Sequence, residues 1–349
     1  MKRIYLDYAA TTPVDPRVVK AMRPYLTEKF GNTMSLHYFG QEAKLALEQS
    51  RQTVADLINA KPNEIIFTGS ATESNNMVLK GIALRQAQGK QNKNHIIISS
   101  IEHPCIVESA KWLKKQGFEI TELPVDKYGL VNPEDVKNAI TGKTILVSII
   151  HASNEIGTIQ PIEQIGEICR EKGVYFHTDA SQSFGKIPID VDKMNIDLLT
   201  ASSHKIYGPK GAGLLHVREG VKIEPLLHGG GQENGLRSST VNTAAIVGFA
   251  KAIEIAKAEM KKENARLTKL RDKLIKGLLK IEGSHLSGHP KKTLANNVNV
   301  WFSFVEGESL VIQLDLEGIA CSTGSACSSI KLEPSPVLLA IGLKPQEAH

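Results

Sequence analysis

No CxxC pair occurs among the four cysteines of this 349-residue chain, Cys105, Cys169, Cys321 and Cys327. Scattered in this way in a chain of this size, they argue against a disulfide framework. His103 and Cys105 lack a second pair at ligand spacing, so neither zinc nor another metal is expected. Aromatic residues make up only 5% of the chain, and Lys and Arg are spread along it, so the net charge of +5 does not build a nucleic-acid surface. No direct nucleic-acid partner is expected. Long apolar runs are also missing: "ILVSII" is far too short to cross a bilayer. The start, "MKRIYLDYAATT", reaches Asp7 before any apolar signal core could form. A soluble protein of the cytoplasm, without a membrane partner, is expected. No GxGxxG follows the first strand and no GxxxxGK[ST] occurs, which counts against nucleotide cofactors.

What is present is an alternation. "EIIFTG", "HIIISS", "TILVSII", "VYFHTDA", "DLLTASSHK" and "AGLLHVR" read as strands, and most are separated by amphipathic helical stretches. That pattern predicts an α/β fold, a mainly parallel mixed sheet flanked by helices, and ligands bind such sheets beyond the carboxyl ends of the strands. The ends carry "TGSATES", "SSIEHP", "HASNEIG", "HTDASQS" and "SSHKIYG". Helix capping by Ser70, or by Thr72 with Glu73, accounts for part of this polarity.

Lys205 sits in "SSHKIYGPKG", after an apolar run and before a breaker-rich turn. Alone, that stretch favours a solvated or phosphate-contacting lysine over a covalently used one. Three groups taken together narrow the choice. "GSAT" at a strand-to-helix turn offers backbone N–H groups to a phosphate. Asp179, ending a strand, needs a cationic or hydrogen-bonding partner if buried, and a protonated pyridine nitrogen is one. Lys205 can bond to an aldehyde. Pyridoxal 5′-phosphate satisfies all three.

A long helix from about Thr243 to Ile281 leads out of the large domain, and "NNVNVWFSF" with "ESLVIQLDLEGIACSTGSACSS" suggests a smaller α+β unit. Free cysteines are typically buried, the expectation for Cys105 and Cys169. Cys327, amid small residues, suits a mobile nucleophile instead.

In combination, "YLDYAATTPVDPRV", "LHYFGQEA", "FTGSATESNN", "NEIGTIQP", "DASQSFGKIPIDV", "SSHKIYGPKG", "GGGQENGLRSST" and "STGSACSSIKLEPSPVL" resemble the cysteine desulfurases, class V members of the fold-type I pyridoxal phosphate enzymes, in their SSGSACTS-type subgroup. The resemblance covers nearly the whole chain. It implies a large cofactor-binding domain over 16–245 and a small domain from 1–15 and 246–349, with the cysteine loop at 321–329. It implies that Lys205 bonds the cofactor, that Asp179 keeps the ring nitrogen protonated, and that Asn154 and Gln182 orient the ring. His103 would stack on the ring and transfer a proton. Ala71, Thr72, Ser202, Ser203 and His204 would hold the phosphate, with Thr240 supplied by a partner subunit, which makes a homodimer obligatory. Arg237 lies beside that site, either on the phosphate or in an interface salt bridge. L-cysteine would become L-alanine, leaving a persulfide on Cys327 for an iron-sulfur scaffold or other sulfur-acceptor protein, or for tRNA thiolation.

Three departures stand out. "FGNTMSLH" replaces the Asn-Pro-Ser-Ser common in relatives, and "HPCI" places Cys105 beside His103, where a small helix residue is the plainer reading. Cys321 could form a regulatory disulfide with Cys327. After "GLKPQEAH" relatives continue with further small-domain elements, including an arginine for the substrate carboxylate, so the small domain reads as incomplete. Alternatives to cysteine desulfuration are selenocysteine or cysteine sulfinate lysis on the same scaffold or, given that ending, a truncated chain that binds cofactor or partner without turnover.

Overall fold

A computed structural model describes residues 3–87, 93–324 and 333–348. Strand β1 (Ile4–Tyr5) and helices α1 (Pro16–Met22), α2 (Pro24–Thr27) and α3 (Tyr38–Ile58) precede the main sheet. Then follow β2 (Ile65–Thr68), α4 (Ala71–Ala87), β3 (His95–Ser99), α5 (Pro104–Lys115), β4 (Glu119–Leu123), α6 (Pro133–Ala139), β5 (Thr144–Ser148), α7 (Ile162–Lys172), β6 (Tyr175–Asp179), β7 (Leu198–Ser202) and β8 (Gly213–Val217). Helix α8 (Thr243–Leu278) leads to β9 (Ser284–Leu286), β10 (Val300–Phe302), α9 (Gly307–Leu316), β11 (Ile319–Ala320) and α10 (Pro336–Ala340).

The sheet has seven strands in the order β2-β8-β7-β6-β5-β3-β4. Neighbours from β7 through β4 are parallel, and β8 runs antiparallel to both β7 and β2. This is the mainly parallel mixed sheet expected from the alternation. Side chains one residue apart enter opposite layers. Ile65, Phe67, Ile97, Val147, Leu199 and Leu214 join one core, with residues of α3, α7 and α8. Ile66, Ile96, Ile98, Leu146, Leu198 and Leu215 join the other, with residues of α4 and α5. Both faces are covered, which is why the strands read as unbroken apolar runs. Strand β4 is not among those runs, because most of "EITEL" is exposed or half-exposed, as befits an edge strand.

Backbone proximity fixes one turn. A Cβ at Gly213 would lie 2.6 Å from the carbonyl carbon of Ser70 and 2.8 Å from Thr68 Oγ1, so only glycine lets β8 press against the turn that starts α4.

The N-terminal segment returns to the sheet edge. Thr12 N donates to His204 O at 3.1 Å, and Asp15 N to Tyr207 O at 2.9 Å. A third cluster, with Ile101, Ile150, Ile156, Val337, Leu338 and Ile341, ties α10 to the loops after β3 and β5. Between the outer half of α8 and the β10–α9 region runs a cleft of about 1220 Å³. Its apolar lining includes Leu270, Leu274, Phe302 and Leu314. Among the described residues, no helix is long and apolar enough to cross a membrane.

Candidate active site

The carboxyl ends of β2, β3, β5, β6 and β7 share one edge of the sheet, and the predicted residues gather there. Asp179 is the last residue of β6 and is buried. Its hydrogen bonds come from neutral donors: Asn75 Nδ2 at 2.6 Å, Ser181 N at 2.9 Å and Ser181 Oγ at 2.5 Å. A buried carboxylate held this way suits a cationic partner.

Lys205 closes the 3₁₀ turn that follows β7. Its Nζ donates to Ala9 O at 2.5 Å and Ala10 O at 2.8 Å. The "YAATT" segment therefore serves Lys205 through its backbone carbonyls. Gln182 Nε2 donates to the same Ala9 O at 2.9 Å, and Gln182 Oε1 accepts from Lys186 Nζ at 3.4 Å. Burial, then the charge of Lys205, brings the Lys186 ammonium down to about 7.

His103 caps α5, its Nδ1 accepting from Cys105 N at 3.3 Å, with Cys105 Sγ 3.0 Å away. Burial lowers its pKa, Asp179 opposing and Lys205 reinforcing the shift, which places His103 within the field of both. His204 contacts Thr11 Oγ1 through Nδ1 at 3.1 Å, and burial, followed by Lys205, lowers it to about 4. Ser202 ends β7 and is buried; the Ser203 hydroxyl is buried without a partner among the described residues.

Ala71 and Thr72 open α4, where first-turn amides have no intrahelical acceptor. Ser70 caps the helix, its Oγ accepting from Glu73 N at 3.1 Å. Arg237 pairs with Glu73 of the same chain at 2.7 Å, and Glu73 also accepts from Gly69 N at 2.8 Å. Within the chain, Arg237 thus forms a salt bridge with Glu73. Asn154 is half-buried in the loop after β5, its carbonyl accepting from Asn297 Nδ2 at 3.5 Å. Thr240 is exposed just ahead of α8, and among the described residues no hydrogen bond joins it to the other candidates. Cys327 and most of the loop at 321–329 lie outside the described residues.

The sequence pattern does not reveal Asn75, one turn into α4, or Glu102. Cys169 is fully buried in the first core as expected. Cys105 packs on the second core but also points its thiol at His103 and Asn75. Cys321 is a free, half-buried thiol.

Glu102 Oε1 accepts from Ser99 Oγ at 2.5 Å and Ile150 N at 2.8 Å. Burial pushes its carboxyl from 4.5 up to about 8. A raised folded pKa gives stability that is present below 4.5 and lost as the pH climbs through about 8. Glu102→Gln keeps the acceptor and removes the titration. In urea unfolding, raising the pH from 6 to 8.5 should cost the native chain on the order of 2 kcal/mol more than the variant. Parallel losses would show that Glu102 does not carry a buried proton.

The arrangement fits pyridoxal phosphate. Among the described residues it offers an amine at a strand end, a buried carboxylate lacking a cation among its hydrogen-bond donors, an imidazole that feels the charge of both, a helix N-terminus and an unpartnered buried serine hydroxyl. The family model for class-V aminotransferases matches residues 4–343. The chain is 54% identical to the cysteine desulfurase IscS of Methanosarcina thermophila, across 100% of this chain and 85% of that protein. It is 53% identical to IscS of Dictyoglomus turgidum, across 100% and 88%. Among solved structures it is similar to a NifS-like protein (TM-score 0.92, 40% identity, 99% of this chain and 91% of the other). It is also similar to SspA in complex with cysteine (TM-score 0.87, 40% identity, 99% and 96%).

Proposed function

The chain belongs to the aminotransferase class-V family as a pyridoxal phosphate-dependent cysteine desulfurase, and we propose that Lys205, Asp179 and His103 form its reaction centre and Cys327 its sulfur acceptor. The observation that carries this reading is the convergence of the Lys205 amine and the buried Asp179 carboxylate on one sheet edge, with His103 within the field of both.

Bound pyridoxal phosphate supplies an aldehyde for amine capture and a cationic ring that draws electrons from the substrate's α-carbon. Asp179 holds the ring nitrogen protonated, with Asn75 and Ser181 fixing both carboxylate oxygens. Lys205 would hold the cofactor's aldehyde carbon, and its Nζ is the group placed to move the substrate's α-proton. Ala9 and Ala10 hold that amine in place. His103, with Nδ1 occupied by Cys105, has Nε2 for proton handling. Gln182 and Asn154 would orient the ring, and Ala71, Thr72, Ser202, Ser203 and His204 would hold the phosphate. The Cys327 thiolate attacks the sulfur of L-cysteine, the C–S bond breaks, its electrons remain with carbon, and protonation gives L-alanine. The persulfide passes to a sulfur-acceptor protein, an iron-sulfur scaffold being the expected one, in the cytoplasm.

We place the large domain at 16–245 and the small one at 1–15 and 246–349. A homodimer would complete the site through Thr240. Leu26, Phe30, Met34, Leu36, Tyr38 and Phe39 are exposed together on one short stretch, Leu36 by 92%, and a subunit contact would cover them.

The test is purified protein loaded with cofactor, sized by light scattering and given L-cysteine, L-selenocysteine or cysteine sulfinate. Alanine and a persulfide from L-cysteine at dimer mass are expected. Alanine only from either competitor, or no turnover by pigmented protein, would replace this reading with a lyase or a binder.

A further inference from the structure

Cys105 has no part in the reaction described above, yet it lies at the junction of the site's two polar arms. Its Sγ is 3.0 Å from His103 Nδ1 and 3.2 Å from Asn75 Nδ2. Asn75 Nδ2 also donates to Asp179 Oδ2 at 2.6 Å. The Thr72 hydroxyl also bonds the Cys105 thiol in the sense that favours the thiolate, which is donation to sulfur, and the donor inventory then sets the remaining directions. The Asp179 carboxylate accepts, so the nitrogen of the Asn75 amide must face it. The second amide hydrogen goes to sulfur. A backbone N–H only donates, and Cys105 N lies 3.3 Å from His103 Nδ1, so that nitrogen carries no proton. The thiol hydrogen then has Nδ1 as its acceptor.

We propose that Cys105 is a positioning residue for the reaction: its thiol, oriented by Asn75 and Asp179, donates to His103 Nδ1, holding the imidazole neutral with its proton on Nε2. This rests on the role given to His103 above. Two further observations agree with the assignment. Burial, and after it the charge of Asp179, push the Cys105 thiol up to about 12, so it stays protonated and can donate. Burial holds His103 below its ordinary value. The charged groups acting on that imidazole are Asp179 at the end of β6, which favours the imidazolium, and Lys205 after β7, which opposes it. Cys105, on α5, adds a third influence: uptake of a proton at Nδ1 must first displace the thiol hydrogen. His103 thus enters the reaction as an Nε2–H donor, and it becomes a cation only when this thiol contact is given up.

The experiment is nitrogen-15 NMR of histidine-labelled, cofactor-loaded full chain, with the His103 signals identified by their loss in His103→Gln. In the native chain Nδ1 is expected to show the shift of an unprotonated nitrogen and Nε2 that of a protonated one. Cys105→Ala should mix the tautomers and raise the His103 titration midpoint by about half a pH unit or more, the effect of one lost hydrogen bond. Cys105→Ser, whose hydroxyl still donates, should restore both readouts. A protonated Nδ1 in the native chain overturns the proposal, as does Cys105→Ala with native tautomer and midpoint. These signals do not depend on turnover, so a failure of the desulfurase reading would appear separately, in the alanine and persulfide assays.

Discussion

Lys205→Ala is expected to lower alanine formation from L-cysteine by roughly ten-thousandfold or more, because it removes the only group proposed both to bond the cofactor and to move the α-proton. The loss should be chemical rather than structural. The N-terminal segment that Lys205 holds through Ala9 and Ala10 is also fastened by Thr12 N on His204 O and by Tyr207 N on Thr12 Oγ1 at 2.8 Å. The variant should therefore unfold near the native temperature. Lys205→Arg sharpens the test: it keeps a cation facing the two carbonyls, but a guanidinium stays protonated and cannot take the amine's place, so it should be as inactive as alanine. Borohydride treatment of the loaded native chain, followed by peptide mapping, should find the cofactor on residue 205 and nowhere in either variant. Full activity in Lys205→Ala, or cofactor fixed elsewhere in the native chain, would remove Lys205 from the reaction.

Lys205 and Asp179 are legible in the amino-acid sequence while their supports are not, and the reason is where information sits in a strand-helix chain. Each ends or follows an apolar run that predicts a strand, so chain direction alone brings them to the same edge of a parallel sheet. Asn75 lies within a helix among other polar residues, and nothing in "ATESNN" says which side chain turns inward. It meets Asp179 only after α4 docks on the sheet. Ala9 and Ala10 act through carbonyls, which every residue has, so their role is invisible until the N-terminal segment returns to Lys205. Glu102 looks like a loop acid in "SSIEHP". Only its burial beneath Ile150 N and Ser99 Oγ makes it a proton holder. Strand β4 is hidden for the converse reason: an edge strand needs no apolar run.

Cys327→Ala should separate the two halves of the reaction. The variant is expected to bind cofactor, to change its visible absorbance on addition of L-cysteine, and to release sulfide under reductant at roughly a thousandth of the native rate or less. The burial of the other thiols supports this assignment. A persulfide forms through a thiolate, and the thiolate fraction at neutral pH is set by the thiol's pKa. Burial drives Cys169 up to about 12, deep in the first core. It drives Cys105 to about 12 as well, where its hydrogen is held toward His103. Cys321 is also raised, by partial burial and then by Asp7. Burial thus disfavours the thiolate at each of these three cysteines, which supports the proposal that the nucleophile is Cys327, set in the small-residue stretch "STGSACSS". Thiol trapping with mass spectrometry should find the added sulfur on Cys327 alone in the native chain. Cys321→Ala should keep nearly all activity. Sustained sulfide release by Cys327→Ala would mean that the substrate's sulfur leaves without ever being carried on that cysteine.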